Sequence, residues 1–134
     1  MAGFEYIDER NEALFQAYKD ALKRKDVKTH QDAVNAAIHT PTKRYWVSPH
    51  HACRKILKYK KLEKSGNTRP IREEAMQQIY KIYQQLEDKP TFRGASAFFI
   101  TTFAIQHQAP QFFISQTRAG AIISRMKRRK RNNK

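Results

Sequence analysis

An all-α fold, built as two pseudo-repeats of three helices, is what this sequence predicts, and three observations predict it. Apolar residues recur at helical spacing along most of the chain, and serines and threonines sit where helices should start. In addition, the stretch from Tyr45 to Lys58 reappears from Phe112 to Arg125, without a gap, at a constant offset of 67 residues. In both copies two aromatics, a β-branched residue and a serine are followed by His51 or Arg118 and then by alanine. Ile56 aligns with Ile123 and Lys58 with Arg125. Each copy reads as an apolar strap, a helix N-cap and a helix whose first turn is free to touch a partner.

The first helix is predicted over residues 5–24. Phe4, Ile7, Leu14, Phe15, Tyr18, Ala21 and Leu22 share one face, acids crowd the early turns and Lys23, Arg24 and Lys25 the end, complementing the helix dipole. Thr29-His30-Gln31-Asp32 has the form of a capping box and opens a second helix through Ile38, which Thr40-Pro41-Thr42 stops. Residues 43–47 should be extended. Ser48-Pro49 starts a third helix with Ala52, Cys53, Ile56 and Leu57 as its buried stripe.

The turn-rich run from Ser65 to Pro70 marks the midpoint. A fourth helix follows, on which Tyr80-x-x-Tyr83 matches Phe15-x-x-Tyr18 at an offset of 65. A fifth helix, over residues 91–107, is apolar nearly all round and belongs at the centre of the fold. Ala109-Pro110 ends it, Phe112-Phe113-Ile114 forms the second strap, and Ser115 caps a sixth helix that runs into the basic residues up to Arg131. The expected organisation is a first three-helix repeat over 1–64 and a second over 70–134 with a basic extension, joined in one compact unit. The straps are expected to pair as a short two-stranded ribbon between the repeats.

The 134 residues carry a net charge of +15, and self-repulsion of that size calls for an anionic partner. Nucleic acid comes first and an anionic membrane surface second. One cysteine excludes an internal disulfide, and no apolar run approaches the roughly 20 residues that span a bilayer. No signal peptide is visible at the start. A soluble, cytoplasmic or nucleoid-associated protein, or a virion component, is expected, with no membrane partner. The acids are unevenly placed: none lies between Ala33 and Leu62, and none after Asp88. Each acid-free window holds one strap and one third helix.

In each half, the second and third helices, joined by a turn, resemble the helix-turn-helix of DNA-binding proteins. The chain is also similar to the small basic proteins carried by phages and mobile elements. The first resemblance implies a third helix in the major groove with its N-terminal residues on base edges. The matching positions are His50, His51 and Arg54 in one half and Gln116, Thr117 and Arg118 in the other. The connections Thr40–Val47 and Ala109–Ile114 are longer than the family's turn.

Lys43, Arg44, Lys55 and Lys58, with Arg125, Lys127, Arg128, Arg129, Lys130 and Arg131 of the tail, are the phosphate-binding candidates. Trp46 and Phe113 are candidates to stack on bases, with core packing the competing role. No cofactor and no metal is expected: His50 and Cys53 have helical spacing for a shared ion but no further ligands. Paired carboxylates and a glycine phosphate loop are both missing. The expectation is therefore a non-enzymatic double-stranded DNA-binding protein, with DNA ahead of RNA as partner. The alternatives are a structural nucleic-acid-neutralising assembly protein and an RNA-binding or ribosome-associated protein.

Overall fold

The computed structural model describes residues 5–61 and 70–132, and among these the fold is all-α. The helices are α1 (Glu5–Leu22), α2 (His30–Ile38), α3 (Pro49–Lys60), α4 (Pro70–Glu87), α5 (Ala97–Ala104) and α6 (Gln116–Asn132). Residues 65–69 of the expected linker and Phe4 of the first stripe lie outside the described residues. None of the described helices is long and apolar enough to cross a membrane.

The caps follow from side-chain chemistry. Thr29 Oγ1 accepts the Asp32 N–H at 3.0 Å, and the Asp32 carboxylate in turn accepts the Lys28 N–H at 3.3 Å. Ser48 Oγ accepts the His51 N–H at 3.1 Å, and Ser115 Oγ the Arg118 N–H at 3.2 Å. Ser96 Oγ accepts the Phe99 N–H at 3.1 Å and starts α5 well after the expected residue 91. Before it, Pro90–Phe92 makes one 3-10 turn and Gly94 takes a φ of 82°.

The expected long central helix is thereby corrected to an eight-residue one. It buries Ile100, Thr101 and Ala104 but leaves Phe98, Phe99 and Phe103 at 39%, 51% and 43% exposure. A helix this short has only one face against α3 and α4. The rings on its far side meet one another and Phe92 instead.

The helices pack in two groups, and the groups are not the sequence halves. α1, α2 and α6 enclose one core, around Leu14, Tyr18, Val34, Ile38, Ile122 and Ile123. α3, α4 and α5 enclose the other, around Ile56, Met76, Ile79, Tyr83, Ile100 and Ile105. Division into units at 1–64 and 70–134 is thus corrected: the third helix of each half completes the core of the other. The within-half helix-turn-helix pairs are corrected with it, since α2 packs on α6 rather than α3, and α5 on α3 rather than α6.

The crossing is made by the straps. The expected ribbon reduces to a single antiparallel bridge, Thr42 with Ala109, with N–H to carbonyl distances of 2.9 and 2.8 Å. Beyond it the straps diverge. The Tyr45 N–H donates to the Ile105 carbonyl at 2.8 Å, and the Phe112 N–H to the Ile38 carbonyl at 3.0 Å. Carbonyls at helix ends lack intrahelical donors, so they outcompete a lone two-strand pairing. A φ of 55° at Phe113 also breaks extended geometry there. Tyr45 and Phe112 are buried in opposite cores, and Trp46 and Phe113 pack from the strap against the core that the neighbouring ring avoids.

Candidate nucleic-acid interface

The crossing brings the starts of α3 and α6 to one cavity of about 260 Å³. Ser48 and His51 line it from one side and Arg118 from another, while α1 supplies Arg10 and α4 supplies Arg72. Trp46 and Phe113 contribute wall. No carboxylate lines it among the described residues. Burial first, then Arg118, hold the Arg10 guanidinium below its ordinary pKa, with Arg72 acting in the same direction and Tyr6 opposing. Arg10 donates Nε and Nη2 to Asn11 Oδ1 at 3.2 and 3.1 Å, a neutral oxygen that satisfies donors without cancelling charge. His51 is held below its ordinary pKa by burial and then by Lys55, Arg54, Arg72 and Lys58. The arrangement is a convergent cationic site that disfavours added positive charge.

The expected contact residues sort into three groups. His51 and Arg118 meet at the cavity. Arg54, Lys58, Arg125, Arg128, Arg129 and Arg131 are exposed along α3 and α6. Others have engagements within the fold. Arg44 donates to the carbonyls of Tyr45 and Val47, both at 3.1 Å, and lies over the rings of Tyr6 and Trp46. Lys127 Nζ donates to the Tyr18 hydroxyl at 2.8 Å and sits over its ring. Lys43 pairs with Glu9, and Lys130 with Glu12 at 3.6 Å. Both pairs are exposed, and such pairs are weak enough to re-form on a phosphate.

At the helix starts, Gln116 Nε2 donates to Gln31 Oε1 at 2.6 Å, and Thr117 lines a shallow groove with His30 and Gln31. His50 is exposed, with its ring 4.7 Å from that of Phe98. Lys55 is half-buried on α3. Trp46 donates Nε1–H to Thr42 Oγ1 at 3.0 Å, carries Arg44 over its ring and packs against the first core; Phe113 is stacked on Tyr45. Among the described residues no three His, Cys, Asp or Glu side chains gather, and Cys53 is a free buried thiol.

Arg10 and Arg72 were absent from the expected set because each sits on an acid-bearing helix. The signal was present all the same. Ile7, Arg10, Asn11 and Leu14 fall on one helical face, as do Arg72, Ala75, Met76 and Ile79. A charged residue within an apolar stripe points to a site rather than to solvent. No protein-family model, no curated protein and no solved structure matches this chain, so its own geometry must carry the functional reading.

Proposed function

We propose that this is a non-enzymatic protein that binds double-stranded DNA chiefly through its phosphates, along the basic faces of α3 and α6. Beneath it lies the inference that the chain is two copies of one three-helix unit that exchange their third helices. Hydrogen bonds 67 residues apart support that inference: Thr29 and Ser96 as caps, Ser48 and Ser115 as caps, and Tyr45 and Phe112 as strap donors. The helix-turn-helix likeness then survives only in crossed form, α2 beside α6 and α5 beside α3.

The observation that carries the function is the convergence of two helix starts on one acid-free cavity, with exposed arginines leading away along both helices. Paired recognition helices read half-sites about 34 Å apart. Starts that share one cavity present a single continuous footprint instead, which favours backbone contact over two separate base-reading turns. Affinity for duplex DNA should fall at least about a hundredfold between roughly 50 and 200 mM salt. Replacing Arg128, Arg129 and Arg131 together with glutamine should flatten the log–log salt slope by about two to three units. Binding without salt dependence, or preferred binding of single-stranded RNA in competition, overturns the reading.

The exposed phenylalanines of α5 favour a second reading, an assembly protein that neutralises packaged nucleic acid while copies meet through those rings. It predicts cooperative coating of random duplex, which the Phe99→Gln variant loses.

A further inference from the structure

The cavity where α3 and α6 begin has a composition that the duplex reading does not require. Arg10, Arg72 and Arg118 face it together with His51, and no acid balances them among the described residues. Three guanidiniums around a half-enclosed space repel one another, and the space is far larger than a water molecule needs. A chain selected only for stability would place a carboxylate or an apolar side chain there.

The geometry points to a phosphate-binding site in this cavity, with Arg10, Arg72 and Arg118 as ligands to the oxygens and His51 as a further donor when protonated. Guanidinium forks match the spacing of phosphate oxygens and can bond them in pairs. Arg10 is already oriented by Asn11, a buried residue, so it loses little freedom on binding. The apolar wall of Trp46 and Phe113 excludes water from one side and strengthens each charge–charge contact. This stands apart from duplex binding, because its ligand is one phosphate group rather than a polymer.

Thermal unfolding of the full chain tests it, with inorganic phosphate against chloride at matched ionic strength. Phosphate should raise the Tm by about 5 °C at a concentration well above its Kd. Arg72→Gln and Arg118→Gln alter exposed side chains and should leave the fold intact; each should raise the Tm in chloride by relieving repulsion and lose most of the phosphate effect. Arg128→Gln, on the outer part of α6, removes the same charge and should keep it. Equal phosphate effects in all four proteins, or none beyond chloride, overturn the site.

Glycerol phosphate and dimethyl phosphate separate the sources. Stronger stabilisation by the monoester identifies a free phosphorylated ligand, whereas a diester effect with competition by duplex identifies the nucleic-acid backbone. A phosphate effect in a protein that does not bind duplex leaves this site standing and removes the proposed function. Salt-dependent duplex binding without a phosphate effect does the reverse.

Discussion

His51 shows how one residue reports on its surroundings. Burial is the largest cause of its lowered pKa, with Lys55, Arg54 and Lys58 of α3 and Arg72 of α4 behind it; Arg10 and Arg118 line the same cavity. The unfolded chain takes up this proton near the ordinary 6.5, whereas the folded protein takes it up only at lower pH. Stability is therefore lost as the pH falls below about 6.5, and the loss stops growing once the folded group titrates. The Tm of the wild type should drop more between about pH 7 and pH 5 than that of His51→Gln. Parallel profiles for the two proteins would show that His51 does not sense these charges. The sequence marked His51 and Arg118 as equivalent and exposed to a partner, and both reach the cavity. It could not mark Arg44 or Lys127 as packing residues, because a long cationic side chain beside aromatics serves a core edge or a phosphate equally well. Only the positions of Tyr6, Trp46 and Tyr18 decide which.

At the scale of elements, helix starts were more legible than helix lengths. Serine and threonine caps act within four residues, so Thr29, Ser48 and Ser115 could be read locally, and Ser96 could have been. The run of phenylalanines masked it, since apolar composition alone does not distinguish a buried helix from a short one with rings on its outer face. Gly94 is the other half of that signal: its φ of 82° allows the chain to turn between Phe92 and Ser96, and no atom lies within 4 Å of where a Cβ would go. Gly94→Ala should therefore cost about 1 kcal/mol through backbone strain alone. Denaturant unfolding measures it, and a cost near zero would mean that the turn relaxes to another conformation.

Across the whole molecule, the fixed offset made the duplication readable but concealed the exchange. A helix docked on its own half and one docked on the other half make equivalent contacts, so periodicity is the same in both. What decides between them is where each strap leads after the Thr42–Ala109 bridge, and that is a long-range property. Core contacts consequently join distant parts of the chain, which slows folding relative to a bundle closed locally. Residues 1–66 and 67–134, made as separate chains, should each lack the cooperative unfolding transition that their mixture regains, as circular dichroism would follow. A half that unfolds cooperatively as a monomer contradicts the exchange.

The unequal outer faces of α2 and α5 carry a further consequence. Where α5 shows Phe98, Phe99 and Phe103, the positions 67 residues earlier on α2 are Gln31, Asp32 and Ala36. The molecule is thus monovalent for adhesion through those rings. Any two copies that meet there use up the patch on both, and the association closes as a twofold pair instead of growing into a fibre.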